Sequence, residues 1–413
     1  MRRTARVLSP AERSRALALL IALRIGYAYN WFNIGPAFPG IGAAFSVGPA
    51  EWGVLLAAFF VAAGAMQVPS GLAARRWGAR AVSLWGTTLI GAGAIASGFA
   101  PSFAALVAVR AAAGVGAALF FSPALGLVGS LYPEGQRGLP VGTFATAFSA
   151  GAALGVFGSA VLIAATTWQA AFWLGGAIIL ALTALAVRFI PPTDDVAPAA
   201  ASEPREARVP PETRRLLTSP ALWAIGFAFV GLEGASFATG QFAAPFGLTT
   251  QGWSPALAGA VGAMFLLPSV AGGPVGGPIA ERSVRRRTLL VVATIVASVP
   301  LALLPWTGVA GALGIAAVFG FFYGFVYAVM YVLPHYLPGI GPREVPIAIG
   351  LFNSVQLAGG GAISLAFGVL VALVGYSISW MALAAISVAP LAILRWTPRT
   401  GSRAYPTASV AAP

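Results

Sequence analysis

Three ionisable side chains lie deep inside long apolar stretches of this 413-residue chain: Arg24, Arg110 and Glu233. A charge placed in hydrocarbon costs about 2.5–3.5 kcal/mol on insertion scales, so each of them is a candidate for function. The two guanidinium groups offer planar sets of donors that suit a carboxylate or a phosphate. Glu233 is the only acid deep within an apolar stretch, and desolvation favours a neutral carboxyl group, so it is a candidate for proton exchange.

Each of these residues also has a purely structural interpretation. Arg24 lies about two helical turns inside its apolar stretch, from which an arginine head group can reach the membrane surface. Arg110 could be satisfied by backbone carbonyl groups, and Glu233 could form a static ion pair with an arginine. The sequence leaves these alternatives open.

Other polar and aromatic side chains follow helical spacing, which places them on shared helix faces. Such faces either line a cavity or hold neighbouring helices together in a membrane. Three groups have this spacing: Tyr27 with Asn30, Tyr323 with Tyr327, and Asn353 with Gln356; Ser236 in turn follows Glu233 by three residues.

The elements that must position these residues are membrane helices. Hydrophobic residues make up 58% of the chain and charged residues only 8%, whereas soluble proteins carry about a quarter charged residues. The apolar stretches have the length that a helix needs to cross a bilayer. We predict an all-α membrane protein with twelve transmembrane helices over 16–39, 50–72, 80–99, 103–130, 139–163, 168–189, 220–245, 255–280, 287–304, 309–334, 345–372 and 376–395.

The charge pattern favours membrane topology over polyanion binding. All 24 basic residues are arginines, and they cluster at alternate connections, which is the positive-inside pattern. It predicts an inner-membrane, multi-pass protein with both termini in the cytoplasm, a retained first helix and no nucleic-acid partner. The absence of cysteine and a single histidine, His335, argue against a metal site and against an enzyme. No cofactor is expected.

The chain contains an internal repeat. Gly71, Arg76 and Arg80 recur 206 positions later as Gly277, Arg282 and Arg286, and Pro39 likewise recurs as Pro245. An even number of helices per copy gives a parallel repeat about an axis along the membrane normal, with a central site between the halves. The predicted domains are a six-helix bundle over 1–189, a cytoplasmic linker over 190–219, a second six-helix bundle over 220–395 and a tail over 396–413.

Two motifs are similar to those of the major facilitator superfamily. The loop after helix 2 resembles G-x-L-A-D-R-x-G-R-R, with Arg75 in place of the acid, and helix 4 carries R-x-x-x-G-x-G-A-A from Arg110. A glycine-rich helix 5 lacks the proline that is usual in the family's antiporters, because Val156 takes its place. The first two helices resemble the family's organic-anion transporters. The resemblance implies a secondary transporter that works by alternating access.

The same resemblance implies a gate on the cytoplasmic side. In the family, the acid of the loop motif engages the start of helix 11. Here we predict one reversed contact, Arg75 to Glu344, and one ordinary contact, Glu281 to Arg137 or to the start of helix 5. The predicted gate residues are Gly71, Arg75, Arg76, Gly78, Arg80, Arg137, Gly277, Glu281, Arg282 and Glu344.

Two buried arginines against one buried acid favour an anionic substrate. We therefore predict a monomeric, proton-coupled transporter of a small carboxylate-like anion. Efflux of amphiphilic compounds is the alternative within this class, and a non-transporting membrane sensor is the alternative outside it. The predicted substrate-binding residues are Arg24, Tyr27, Asn30, Arg110, Ser236, Tyr323, Tyr327, Asn353 and Gln356, and Glu233 is the predicted proton carrier.

Overall fold

The structure is a computed structural model that describes residues 8–133, 136–190, 218–283, 285–333, 337 and 345–396. Nine of the described helices have the length and hydropathy to cross a membrane, or ten when one bent pair is taken as a single span. That count treats Ala348–Trp396 as one span, although it breaks at Gly375, where φ is +76°. Dividing it there and adding the first helix gives twelve, as predicted.

The twelve helices are named α1 to α12 in chain order. Their bounds are α1 Pro10–Phe32 continuing as Ile34–Phe45, α2 Pro49–Ala65 continuing as Gln67–Trp77, α3 Ala79–Gly98, α4 Phe103–Ser130, α5 Gly138–Ala165, α6 Trp168–Phe189, α7 Pro220–Thr249, α8 Pro255–Met264 continuing as Ser269–Arg282, α9 Arg286–Ser298 with a 3-10 turn Val299–Trp306, α10 Val309–Val332, α11 345–374, and α12 376–388 with a 3-10 turn Ala389–Trp396. Helices α1–α6 form the N-terminal bundle and α7–α12 the C-terminal bundle.

Prolines set the breaks inside three of these helices. A proline cannot donate to the carbonyl group four residues before it, and its ring crowds that carbonyl. The first segments of α1, α2 and α8 end at Phe32, Ala65 and Met264, each of which stands four residues before a proline: Pro36, Pro69 and Pro268. The break in α2 bends the helix by 47°.

The first helix is longer than the predicted span 16–39. It begins at Pro10 because Ser9 and Glu12 form a capping box, in which each side chain bonds the other residue's backbone N–H. After the break at Asn33 the helix resumes at Ile34 and continues to Phe45, so Pro39 lies inside the second segment and does not end it. The predicted domain limits stay predictions, since most of the linker and tail residues lie outside the described part of the chain.

The bundles meet on one side of the molecule and diverge on the other. We call the side with the arginine-bearing connections, at Trp77, Arg137, Phe189 and Arg282, the basic side. On the opposite side, α2 packs closely on α11, where Gly53 faces the backbone of Leu365, and α5 packs on α8, where Gly259 faces Ala160.

Toward the basic side the same four helices separate. The segment Gln67–Trp77 of α2 barely contacts α11, and Ser269–Arg282 of α8 barely contacts α5, whereas the first segments of α2 and α8 pack closely on the same two helices. Within the described residues, the space between the bundles therefore opens toward the basic side.

Candidate functional site

Arg24 is held in a cage of aromatic rings. Its guanidinium carbon lies 4.7 Å from the centre of the Tyr27 ring, 4.4 Å from Phe121, 5.5 Å from Phe144 and 4.6 Å from Phe148. These rings come from α1, α4 and α5, and the side chain is only 6% exposed. The cage fixes a cation deep in the N-terminal bundle, where ring faces partly replace its lost hydration.

The Arg24 cation lacks a carboxylate partner among the described residues. Its Nε and Nη1 atoms are buried without a hydrogen-bond acceptor. The Tyr27 hydroxyl hydrogen bonds the guanidinium, and the hydroxyls of Tyr327 and Tyr331 lie near it. Two of these belong to α10, so Arg24 faces the C-terminal bundle across the central space.

The facing wall of the C-terminal bundle carries the acid. Tyr323 donates from its hydroxyl to Glu233 Oε2 at 3.0 Å, and Ser236 hydrogen bonds the same tyrosine. Glu233 is 7% exposed. The structure thus brings together three of the predicted residues, Glu233, Ser236 and Tyr323, on α7 and α10.

Two further tyrosines continue this wall toward the basic side. The Tyr331 hydroxyl lies 2.9 Å from the Tyr327 hydroxyl and 3.1 Å from Asn353 Oδ1 on α11. Gln356, one helical turn above Asn353, donates to the Met330 sulfur instead. Asn353 therefore joins the polar wall, whereas Gln356 contacts the neighbouring helix α10.

An aromatic layer closes the space on the side opposite the basic side. The rings of Phe60 in α2 and Phe237 in α7 stack at 3.8 Å between centres. Gln241 in α7 donates to the Trp31 carbonyl of α1 at 2.8 Å. These contacts join the two bundles directly above the site.

The sequence-based prediction missed this layer. Phenylalanines in apolar helices carry no signal of their own. Gln241 was a detectable signal, because a lone amide inside an apolar helix needs a hydrogen-bond partner.

Arg110 and Asn30 lie elsewhere, inside the N-terminal bundle. Arg110 Nη1 donates to the Asn30 backbone carbonyl at 3.2 Å, and the guanidinium lies over the rings of Phe59 and Phe172 at 4.7 and 5.8 Å. The Asn30 side chain donates to the Gly26 and Gly175 carbonyls at 2.8 and 3.1 Å. All of these contacts come from α1, α2 and α6, so the structure separates this pair from the central wall.

The first copy of the predicted gate has a clear local structure. α2 ends at Trp77, and Gly78 adopts φ +86°, a region that favours glycine. Arg80 donates from Nε to the Ile190 carbonyl at 2.7 Å and from Nη2 to the Val187 carbonyl at 2.6 Å, so it caps the end of α6. Arg76 lies over the Trp77 ring at 5.0 Å.

Arg75 borders a cleft of about 480 Å³ between the basic ends of α2 and α4, which Ser122, Gly126 and Ser130 also line. Its predicted partner Glu344 lies outside the described residues, so the reversed contact stays a prediction.

The residues of the second copy of the gate make local contacts. Arg137 donates to the Tyr132 carbonyl at 2.9 Å within its own bundle. The Glu281 backbone carbonyl accepts from Arg286 Nη2 at 3.1 Å, and Arg282 ends α8. The contact between Glu281 and Arg137 is expected when the basic side is closed, and it also stays a prediction.

Comparison with known proteins places the chain in context. The family model described as Major Facilitator Superfamily matches residues 20–362 and 250–411. The crystal structure of a bacterial homologue of the human lysosomal transporter Spinster, in an inward-facing and unoccupied conformation, superposes with a TM-score of 0.74 at 18% identity, covering 94% of this chain and 96% of that one. This likeness concerns the fold.

Curated relatives match over shorter segments. Multidrug resistance protein Stp of Mycobacterium tuberculosis is 29% identical over 174 residues, which are 40% of this chain and 32% of that protein. Human Monocarboxylate transporter 11 is 34% identical over 240 residues, which are 56% of this chain and 49% of that protein. The matched segments thus span from a third to a half of these relatives.

Proposed function

The chain belongs to the major facilitator superfamily, and we propose that this transporter moves a small carboxylate-like anion together with a proton by alternating access. Arg24 of the N-terminal bundle and the Tyr327–Tyr331 pair of the C-terminal bundle are the proposed anion site. Tyr27 and Asn353 border it. Glu233, held by Tyr323, is the proposed proton carrier.

The Arg24 guanidinium carries this proposal, because two of its nitrogens have no acceptor and it has no carboxylate partner among the described residues. Burying a cation without an anionic partner is unfavourable, and the aromatic cage offsets only part of the cost. A carboxylate that enters from the open side would supply the missing acceptors at Nε and Nη1. The Tyr331 hydroxyl, which is hydrogen bonded to Tyr327, would donate to the same anion, so that bound substrate draws the bundles together.

Proton coupling follows from the balance of charge at the site. With Glu233 ionised, the site already holds one cation and one anion, and a second anion would leave a net negative charge. Protonation of Glu233 removes that excess. The anion and the proton therefore favour each other's binding, which is the thermodynamic requirement for symport.

The arginine distribution supports an orientation with the basic side in the cytoplasm, in an inner membrane. In that orientation the described conformation faces inward. The two gate contacts, Arg75 to Glu344 and Glu281 to Arg137, are proposed to form when the basic side closes. Six further residues are proposed to surround these gate contacts: Gly71, Gly78, Gly277, Arg76, Arg80 and Arg282.

Efflux of amphiphilic compounds is a second candidate. The aromatic layer and cage suit a flat apolar body, and Stp is by its name a multidrug resistance protein. The sign of the unpartnered charge favours an anion over a cation at Arg24. A dication such as methyl viologen is therefore the discriminating probe.

Uptake into proteoliposomes with an imposed pH gradient tests the proposal. Benzoate, pyruvate, lactate and succinate form the anion panel, and methyl viologen is the cation control. We expect gradient-driven accumulation of at least one carboxylate and none of methyl viologen. The proposal is wrong if no carboxylate is moved in either gradient direction.

Glu233→Gln in the same assay tests the proton carrier. Because the amide stays neutral, gradient-driven accumulation should fall about tenfold or more, while anion exchange across the membrane persists. The control is wild type reconstituted at equal protein density. Unchanged accumulation by Glu233→Gln would remove Glu233 from the coupling step.

A further inference from the structure

We propose that the α10 tyrosines form a hydrogen-bond chain whose direction reverses when Glu233 takes up a proton, so that protonation of Glu233 is reported to the anion site at Arg24. The inference rests on the proposed function, because it explains how the proton site and the anion site communicate. Residues Tyr323, Tyr327 and Tyr331 form the chain, and Asn353 lies at its end.

The spacing of the chain comes from one helix face. The three tyrosines stand four residues apart, so they lie above one another on successive turns of α10. Their ring centres are 5.7 Å apart for the first pair and 4.8 Å apart for the second. The chain therefore runs about 12 Å along the membrane normal, from the level of the acid to the level of the anion site.

The two ends of the chain are fixed by direct hydrogen bonds. Tyr323 donates to Glu233 Oε2 at 3.0 Å, and Tyr331 lies 2.9 Å from Tyr327 with donor geometry. Between Tyr323 and Tyr327 the ring centres are 5.7 Å apart, and the proposed chain crosses this step through one bridging water. The Tyr331 hydroxyl lies within hydrogen-bond distance of both the Tyr327 hydroxyl and Asn353 Oδ1, so its single proton has an acceptor on either side, toward the acid or toward α11.

A tyrosine hydroxyl has one proton, so it donates in only one direction at a time. When Glu233 is ionised, it accepts from Tyr323, which then accepts from Tyr327, which accepts from Tyr331. The anion site then meets oxygen lone pairs. When Glu233 is protonated, it donates to Tyr323, every hydroxyl turns, and Tyr331 donates to the anion beside Arg24. Each hydroxyl keeps its own proton, and the only proton gained is the one on Glu233.

The charged and titratable groups around the chain are few. Among the described residues, those in electrostatic contact with Glu233 are Tyr323, Tyr327 and Tyr331, all from α10. From the N-terminal bundle, Arg24 faces Tyr327 and Tyr331. From α11, Asn353 faces Tyr331 and Gly360 lies beside Glu233. Within the described ranges, no other charged side chain lies between the two sites.

Direct charge repulsion between Glu233 and the anion is the competing explanation, and the two make different predictions for tyrosine variants. Tyr327→Phe removes one hydroxyl and keeps the ring and both charges. A broken chain loses the pH dependence of anion binding, whereas through-space repulsion survives the substitution. Tyr323→Phe provides a second break at the acid end. Tyr376→Phe is the matched control, because its buried hydroxyl lies on α12 beside Thr249, away from the α10 tyrosines.

The test is the affinity of purified full-length protein for benzoate, pyruvate, lactate and succinate across a pH series, measured by thermal stabilisation. We expect wild type and Tyr376→Phe to bind about tenfold more tightly as pH falls through the protonation of Glu233. Tyr327→Phe and Tyr323→Phe should change by less than about threefold over the same series. Glu233→Gln should bind tightly at every pH, since its amide donates to Tyr323.

Two outcomes overturn the proposal in different ways. Tyr327→Phe and Tyr323→Phe could keep the full pH dependence and change the anion affinity by the same factor at every pH. In that case through-space repulsion carries the coupling and the hydrogen-bond chain does not. If wild type binds none of these anions at any pH, the proposed function fails and the chain fails with it.

Discussion

Arg24 and Arg110 are two buried arginines in one bundle, and they differ in their hydrogen-bond acceptors and in the bundle that they face. Both sit against aromatic rings, and they are 6% and 1% exposed. Arg110 donates from Nη1 to the Asn30 carbonyl and leaves Nε without an acceptor, and its contacts lie within the N-terminal bundle. Arg24 has two nitrogens without acceptors and faces tyrosines of the other bundle.

The contrast shows that burial alone does not identify a binding residue. A buried cation with internal acceptors contributes to folding, as Arg110 does by tying α4 to α1. A buried cation whose acceptors are missing costs stability until a ligand supplies them. Arg24 therefore belongs to the proposed site, and Arg110 is proposed to be structural.

The largest expected effect is that of Arg24→Met on transport. The substitution keeps an unbranched side chain of similar length and removes the donors, so carboxylate uptake should fall about 100-fold, as for loss of a charge-assisted hydrogen bond. The unfolding temperature should stay equal or rise, because an unpaired buried charge is replaced by an apolar group. Uptake in proteoliposomes and a melting curve in detergent measure the two effects. Normal uptake with a lower melting temperature would reverse the assignment.

Arg110→Met should show the opposite pattern. It leaves the Asn30 carbonyl without its donor and removes two ring contacts, at a cost of about 1–3 kcal/mol of folding free energy. The melting temperature should fall, while the affinity of the remaining folded protein for a carboxylate changes by less than about threefold. A large loss of affinity at unchanged stability would make Arg110 a binding residue after all.

Asn30→Ala is the substitution with the smallest expected effect, and it tests whether the surroundings of Arg110 take part in binding. The side chain bonds the Gly26 and Gly175 carbonyls, whereas Arg110 uses the backbone carbonyl, which the variant keeps. We expect a destabilisation of about 1 kcal/mol, and no change in carboxylate affinity beyond experimental error. Chemical denaturation in a mixed micelle measures the first and thermal stabilisation the second. A loss of affinity here would extend the binding site to the α1–α6 interface.

Much of the fold could be predicted from the sequence, because membrane helices are encoded by length and hydropathy. The twelve helices and the alternation of arginines follow from that pattern. The helix breaks at Phe32, Ala65 and Met264 could also have been predicted from the sequence, since each residue stands four positions before a proline. The longer α1 depended on a local capping box, which a hydropathy pattern does not contain.

The candidate site was predictable only in part. Glu233, Tyr323 and Tyr327 stood out as polar groups in apolar helices, and the structure brings them together. The same criterion selected Asn30 and Arg110. These two residues hydrogen bond each other inside the N-terminal bundle, through the Arg110 guanidinium and the Asn30 backbone carbonyl. Sequence spacing places a residue on a helix face but does not tell which neighbouring helix covers that face, so the two classes could not be separated.

The most direct test is the stabilisation of wild type, Arg24→Met and Arg110→Met by benzoate, pyruvate, lactate and succinate, measured side by side as a shift in melting temperature. The account predicts that at least one carboxylate stabilises wild type and Arg110→Met by similar amounts and leaves Arg24→Met unshifted. A full shift in Arg24→Met, or its loss only in Arg110→Met, would contradict the assignment of Arg24 as the anion site.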